Sequence, residues 1–232
     1  MPHLKELITI LRKQHGAPAK PPARGPFELV LWENAVYLMP DERRREVFES
    51  LRSQVGLTPK AITEADGNLL LELAQRGGMR PETRVFRWRE IARITELQFN
   101  GDLDQILEWP LSKAKRALKQ FPTIGDPGAE KILLFCGVSG DALPLESNGL
   151  RVLTRYGYGR EQKDYGATYK SVQEAIAPEL PLGAKAKLMA HQLLHEHGQT
   201  FCKRRSPLCE PCPANGICGY SRFNVSRSTS PA

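Results

Sequence analysis

Apolar side chains recur along most of the chain at the three- and four-residue spacing of one helical face. Leu4, Leu7, Ile8 and Leu11 show it first, and this spacing is typical of an amphipathic helix. The same pattern predicts helices over residues 26–39, 41–55, 65–77, 81–99, 101–109, 110–121, 127–137, 146–157, 169–177 and 184–198. The two-residue alternation of a half-buried strand occurs only in short fragments. The chain is therefore predicted to be all-α, with roughly ten helices.

Two segments differ from this pattern. Residues 17–25, APAKPPARG, are rich in proline and basic residues, which predicts an extended linker. Residues 220–232 are rich in serine and are predicted to be a disordered tail.

Composition indicates a globular protein with an anionic partner. The 232 residues carry 33 Lys and Arg against 26 Asp and Glu, a formal net charge of +7. No apolar run approaches the roughly 20 residues of a membrane-spanning helix, and the N-terminal helix carries charges that a secretion signal lacks. We expect an intracellular protein of the cytoplasm or nucleoid that does not bind membranes. The positive balance favours nucleic acid as a partner.

Four of the five cysteines lie close together near the C-terminus. Cys202, Cys209, Cys212 and Cys218 fall within 17 residues, whereas Cys136 stands alone in an apolar run. Clustered thiols in an intracellular chain point to a metal rather than to disulfides. Structural zinc commonly uses two short Cys pairs, but only one Cys-x2-Cys is present here. The asymmetric spacing suits a 4Fe–4S cluster at least as well, so chemistry alone leaves both open.

Basic and imidazole side chains surround the first cysteine. Lys203, Arg204 and Arg205 directly follow Cys202 and would form a rigid phosphate-facing loop if a metal held its ends; the alternative is a solvated run of charge. The preceding helix carries three histidines, His191, His195 and His197. Without a carboxylate in a ligand pattern, we interpret them as packed helix residues.

A short Pro- and Gly-containing turn joins two predicted helices at residues 121–129. Such a turn leaves backbone N–H groups free at the start of the second helix, and these donors suit a phosphate oxygen. The predicted DNA-binding residues of this turn are Pro122, Thr123, Ile124, Gly125 and Gly128. An ordinary helix–helix connection is the alternative.

The cysteine spacing, together with the preceding segment LMAHQLLHEHGQTFC, resembles the endonuclease III family of DNA glycosylases. The turn is similar to the helix-hairpin-helix motif of the same superfamily, with Phe121 and Thr123 in place of its usual leucine and glycine. The resemblance implies a 4Fe–4S cluster on the four cysteines and double-stranded DNA as the partner. It also implies two helical domains: a six-helix barrel with the hairpin at 25–138, and a cluster domain of 1–24 with 139–219. We expect a monomer with DNA across the groove between these domains.

The resemblance also indicates where catalysis should occur. Bifunctional members carry a nucleophilic lysine two residues after the second hairpin glycine, and here that position is Pro127. Proline has no nucleophile, so a Schiff-base lyase is not expected. Lys131, four residues on, is a weak substitute. Glu146 matches the family's essential aspartate, but it is one methylene longer and one residue later relative to the hairpin. It is predicted to stabilise the sugar cation, with helix capping as the alternative.

A second acid lies in the segment FELVLWENAVYL. Glu33 stands among apolar residues of a predicted helix, where an acid would have a raised pKa. Its position resembles the catalytic glutamate of adenine glycosylases, which implies a role as acid or water-activating base. Tyr37 falls near the expected base pocket and would stack on an extruded base, unless it is part of the core.

The sequence therefore favours a monofunctional DNA glycosylase that hydrolyses the N-glycosidic bond of a damaged or mismatched base. A non-catalytic relative that senses lesions or DNA structure is an alternative, because Pro127 and Glu146 depart from the family pattern. A zinc-stabilised helical interaction module is the second alternative. Neither the base removed nor any redox role of the cluster follows from the sequence.

Overall fold

The computed structural model describes residues 3–222, and all of its regular structure is helical, as predicted. No strand occurs among those residues. The α-helices of this part of the chain are α1 (Leu4–His15), α2 (Gly25–Glu33), α3 (Asp41–Gln54), α4 (Pro59–Glu64), α5 (Gly67–Gln75), α6 (Pro81–Phe99), α7 (Leu111–Leu118), α8 (Asp126–Phe135), α9 (Ser147–Tyr156), α10 (Tyr165–Ile176) and α11 (Gly183–Thr200). Short 3-10 helices lie at Asp104–Glu108, Ala177–Glu179 and Asn215–Ile217.

The chain divides into two compact units. The hairpin unit, Lys20–Val138, contains α2 to α8. The cysteine unit combines the chain up to Ala19 with the chain from Ser139 onward, and it contains α1 and α9 to α11. Each unit has its own hydrophobic cluster. Burial of these separate clusters is the main force that stabilises each unit.

Long aromatic and aliphatic side chains fill the core of the hairpin unit. Trp88 of α6 and Phe48 of α3 are fully buried. The indole N–H of Trp88 donates to the carbonyl oxygen of Asn34 at 3.1 Å, so the one polar atom of this core side chain is satisfied. The core thus fixes the residues directly after α2, where the candidate site begins.

The predicted helix over 26–39 is too long, because α2 ends at Glu33. Asn34 turns its side-chain amide back to the carbonyl oxygen of Val30 at 3.1 Å. Leu38 then takes a left-handed backbone conformation with φ of 54°, which a continuing helix does not allow. Helix α4 was not predicted, since its six residues are too few to show a helical period. The stretch 101–109 contains a 3-10 helix rather than an α-helix.

In the cysteine unit, α9 and α11 approach closely at a glycine. A Cβ atom on Gly198 of α11 would lie 2.6 Å from the Cβ atom of Asn148 in α9, nearer than packed carbon atoms come. Glycine at this position therefore permits the contact between the two helices.

The Pro-rich segment packs against the hairpin unit. The Arg52 guanidinium donates to the carbonyl oxygen of Pro22 at 2.7 Å, and Ala23 packs on the core. The hairpin unit accordingly begins at Lys20, whereas the sequence analysis places its start at residue 25.

The predicted disordered tail starts within helical structure. Residues 219–222 form a helical turn, in which the Ser221 hydroxyl donates to the carbonyl oxygen of Asn215 at 2.6 Å. Residues 223–232 lie outside the described residues. None of the helices in residues 3–222 is long and apolar enough to span a membrane.

Candidate functional site

The predicted hairpin forms between α7 and α8. Phe121 and Ile124 are buried in the core of the hairpin unit, and the amide of Ile124 donates to the carbonyl oxygen of Phe121 at 3.2 Å. Gly125 is the N-cap of α8, and no side chain caps this end of the helix. The first hydrogen bond of the helix runs from the N–H of Ala129 to the carbonyl oxygen of Gly125 at 2.9 Å. The amides of Asp126 and Gly128 come before this first hydrogen bond and have no acceptor within the helix, while Pro127 has no N–H. The helix start therefore offers two amide donors.

Thr123 occupies the hairpin position with the most demanding backbone. Its φ is 65°, a left-handed value that is unfavourable for a β-branched residue. The Thr123 hydroxyl lies 3.1 Å from Oδ1 of Asn34, and Nδ2 of Asn34 donates to the carbonyl oxygen of Pro122 at 3.1 Å. Asn34 was not among the residues predicted from the sequence, because its two hairpin partners lie 88 and 89 residues away along the chain. Asn34 thus holds the hairpin to the end of α2.

Glu33 and Lys131 form an ion pair in the hairpin unit. Lys131 Nζ lies 2.6 Å from Oε2 of Glu33, and the side chains are 15% and 20% exposed. The sequence predicted that Glu33 stands among apolar residues, but the structure places the Lys131 ammonium group beside it. The nearby ammonium group stabilises the ionised form of the carboxylate.

The hairpin also carries an acid beside its amide donors. Asp126, the first residue of α8, pairs with Lys119 through an Oδ2 to Nζ distance of 2.8 Å, and both groups are exposed. A carboxylate is favourable at a helix N-terminus. It also opposes the approach of a phosphate to the same amides.

Tyr37 lies in the loop after α2 and is 49% exposed, so it is not a core residue. Its amide donates to the carbonyl oxygen of Gly77 at 3.0 Å. A Cβ atom on Gly78 would lie 2.8 Å from the carbonyl oxygen of Tyr37. The loop is thus packed against the turn before α6 while the Tyr37 ring remains accessible.

Glu146 belongs to the cysteine unit, where it is the N-cap of α9. Its two carboxylate oxygens accept from the amides of Asn148 and Gly149 at 2.8 and 2.7 Å, and Oε1 lies 3.2 Å from Nδ1 of His195. Burial opposes ionisation, but His195 and the two amides outweigh it and hold the pKa of Glu146 at about 2. The partnership with His195 was not predicted. A carboxylate in this state is an electrostatic stabiliser and a poor proton donor at neutral pH.

The other two helix histidines are packed, as expected. His191 is buried, and its Nδ1 lies 2.8 Å from the carbonyl oxygen of Pro144. His197 is buried with its ring edge on His15 and its Nε2 3.5 Å from Sγ of Cys212.

The four clustered cysteines line a single cavity in the cysteine unit: Cys202, Cys209, Cys212 and Cys218. Apolar side chains such as Leu7, Val152 and Phe201 form much of the remaining wall. No disulfide joins them, and burial raises the pKa of Cys212 to about 11. A thiolate in such surroundings needs a cation to stabilise it.

Two arginines of α9 hold the loop that follows the first cysteine. Arg151 donates through Nε to the carbonyl oxygen of Cys202 at 2.7 Å. Arg155 donates to the carbonyl oxygens of Lys203 and Arg204 at 2.7 and 3.1 Å. The side chains of Lys203, Arg204 and Arg205 are exposed. Arg151 and Arg155 were not predicted as site residues; the one-turn spacing of two cations on a predicted helix was the available signal.

The structure gathers the predicted residues into two groups. The hairpin residues and Glu33 lie together in the hairpin unit, whereas Glu146, the cysteines and the basic loop belong to the cysteine unit. Lone Cys136 lies half-buried just after α8. Burial raises its pKa to about 12, so this thiol stays protonated.

Known proteins resemble the chain over most of its length. The chain is 29% identical over 180 residues to endonuclease III of Sulfolobus acidocaldarius, covering 77% of this chain and 74% of that protein. It is 32% identical over 165 residues to thymine-DNA glycosylase of Aeropyrum pernix, covering 70% of this chain and 68% of that protein. No family model matches the chain.

Solved structures show the same fold. A non-covalent endonuclease III–DNA complex superposes with a TM-score of 0.75 at 18% identity, covering 97% of this chain and all of that one. A thermostable thymine-DNA glycosylase gives a TM-score of 0.74 at 18% identity, covering 95% and 97% of the two chains. The chain therefore belongs to the endonuclease III-like DNA glycosylases of the helix-hairpin-helix superfamily, which confirms the resemblance seen in its sequence.

Proposed function

We propose that the protein is a monofunctional DNA glycosylase, which binds duplex DNA and hydrolyses the N-glycosidic bond of a damaged or mismatched base. The observation that carries this proposal is the half-buried carboxylate of Glu33 at the end of α2, in the same unit as the hairpin. A carboxylate near the sugar stabilises the cation that develops there and activates water. Pro127 occupies the second position of α8 and has no nucleophile, which favours hydrolysis by water over a Schiff base.

Two groups support duplex binding. The amides at the start of α8 suit one phosphate oxygen each. The exposed side chains of Lys203, Arg204 and Arg205, on a loop held by Arg155, supply positive charge. The solved endonuclease III–DNA complexes share this fold, and we extend DNA binding to the present chain on that basis.

The four clustered cysteines would hold a 4Fe–4S cluster, as endonuclease III family members typically do. Their soft donor set and largely apolar cavity fit it. Within residues 3–222, no group of three or more His, Cys, Asp or Glu side chains is arranged for a single metal ion. The cluster would fasten the basic loop that begins after Cys202.

Glu146 and Tyr37 complete the proposed assignment. Glu146, ionised at neutral pH, would stabilise the sugar cation by its charge. Tyr37 presents an accessible ring that would stack on an extruded base.

A panel of duplexes tests this function, each with one damaged or mismatched base, beginning with thymine opposite guanine because a relative is named thymine-DNA glycosylase. Alkali cleavage of the product reveals abasic sites. We expect alkali-dependent cleavage with at least one duplex, and its loss in Glu33→Gln. Strand cleavage without alkali, together with a borohydride-trapped complex, would overturn the monofunctional assignment.

A non-catalytic lesion sensor is the second candidate, and one observation favours it. Both oxygens of Glu146 are engaged by the N-cap amides, so capping alone accounts for this residue. Salt-dependent duplex binding without base release from any lesion would support the sensor. Purified protein without visible iron–sulfur absorption but with bound zinc would instead support a zinc-stabilised module.

A further inference from the structure

The Glu33–Lys131 ion pair joins parts of the hairpin unit that are far apart in sequence. Glu33 is the last residue of α2, and Lys131 lies in the second turn of α8, 98 residues later. Pairs such as Arg93–Glu90 and Arg76–Glu72 connect neighbouring turns of one helix and are more exposed. Exposed pairs of that kind contribute little. The Glu33–Lys131 pair is shielded from water and therefore has a stronger effect on its partners.

The same end of α2 is also fixed to the hairpin. Asn34, directly after Glu33, is hydrogen-bonded to both Pro122 and Thr123. Lys131 lies one helical turn after Pro127 and thus on the same face of α8. The end of α2 is therefore fixed to the hairpin through Asn34, and the Glu33 carboxylate is paired with an ammonium group on α8.

We infer that Lys131 is a positioning residue that keeps Glu33 ionised and oriented, so that Glu33 acts as the base that activates water. This inference rests on the proposed function and selects between the two roles open to Glu33. The Glu33 carboxylate takes a proton from water, and the water oxygen bonds to C1′ of the sugar. The C1′–N bond breaks, and the base leaves with its electron pair and takes up a proton from solvent. Glu33 then returns its proton to solvent.

The alternative roles of Lys131 predict different measurements. A phosphate-binding lysine affects duplex affinity and its salt dependence, with one phosphate contact lowering the slope by about one. A purely structural lysine affects stability and is replaceable by any arrangement that keeps the ion pair. A nucleophilic lysine forms a borohydride-trappable complex. A positioning lysine affects the rate of the chemical step at unchanged duplex affinity.

The test uses single-turnover base release from a duplex that the wild-type protein processes, with duplex Kd and thermal stability measured in parallel. The variants are Lys131→Gln, Lys131→Arg and the exchange Glu33→Lys with Lys131→Glu. The matched control is Glu130→Gln, which removes the acidic partner of the half-buried Lys115–Glu130 pair on the same helix.

We expect Lys131→Gln to slow base release by about tenfold or more, with Kd unchanged, because Glu33 loses the charged group that orients it. Lys131→Arg should restore the rate to within a few-fold, because the cation is retained. The exchanged pair should fold but release no base, and Glu130→Gln should match the wild type.

An unchanged rate in Lys131→Gln, an active exchanged pair, or a trapped complex that Lys131→Gln abolishes would each overturn the inference. A Lys131→Gln variant with weakened duplex binding and an unchanged rate would assign the lysine to a phosphate instead. Absence of base release by the wild-type protein would refute the proposed function itself, which is a separate result.

Discussion

Thr123 donates its hydroxyl to Oδ1 of Asn34 over 3.1 Å while its own backbone is left-handed, with φ of 65°. The hairpin therefore uses a side-chain hydrogen bond where the family pattern has a glycine. This bond ties the hairpin to the residue that follows Glu33, so the hairpin and the candidate carboxylate are parts of one rigid arrangement.

Two replacements of Thr123 should show separately how its hydrogen bond and its backbone strain affect stability. Thr123→Val keeps the strain and leaves Oδ1 of Asn34 without its donor, which should reduce the free energy of unfolding by about 1–3 kcal/mol. Thr123→Gly loses the same bond but relieves a strain of about 1–2 kcal/mol, so its net effect should stay within about 1 kcal/mol. Chemical denaturation measures both. Thr9→Val, which removes an exposed hydroxyl bonded to its own helix, is the control, and a valine variant no less stable than the glycine variant contradicts this account.

Asp126 should weaken the binding of DNA to the hairpin. Asp126→Asn removes a negative charge at the start of α8, so duplex affinity should increase several-fold at low salt, and the salt dependence should become steeper. Filter binding at several salt concentrations measures both. Glu72→Gln, which removes an exposed acid of the same unit, should leave affinity unchanged. An equal affinity for Asp126→Asn and wild type would show that no phosphate approaches this turn.

At pH values above the pKa that Glu146 has in the unfolded chain, its carboxylate should stabilise the folded protein. This stabilisation should be lost in acid. Its folded pKa of about 2 lies below the ordinary value of 4.5, so the contribution is present above pH 4.5 and declines toward pH 2. The stability advantage of wild type over Glu146→Gln should fall by roughly 1–2 kcal/mol between pH 6 and pH 3.5. Urea unfolding at both pH values tests this, and an advantage that does not change with pH would rule out the hydrogen-bonded carboxylate.

Gly198 should be needed for the region around the cysteines. Gly198→Ala places a methyl group against Asn148 and should destabilise the protein by about 1–3 kcal/mol. It should also shift Arg151, which donates to the carbonyl oxygens of Gly198 and Cys202. If the proposed 4Fe–4S cluster is bound, its visible absorption per mole of protein should fall. Gly216→Ala is the matched control, because a Cβ atom there meets open space. Equal absorption in the two variants would mean that this helix contact does not support the proposed cluster.

Much of the fold could be predicted from the sequence because helices depend on local spacing. The predicted helix over 81–99 has the bounds of α6, and the hairpin between α7 and α8 was located by its Pro and Gly residues. The end of α2 could not be located in this way. Apolar residues resume after Asn34 and continue to Met39, so the sequence pattern does not mark the end of the helix. Asn34 contacts Pro122 and Trp88 there, and these contacts exist only in the folded unit.

The order of residues along the chain by itself determined the all-helical architecture, the hairpin, the cysteine quartet and the absence of a nucleophile at Pro127. Each of these depends on residue type and short spacing. Only the tertiary structure decided which charges meet: Glu33 with Lys131, Glu146 with His195, and Arg155 with the basic loop. The protonation and orientation of a carboxylate depend on charges and donors a few ångströms away in space, and those partners come from positions up to 98 residues apart.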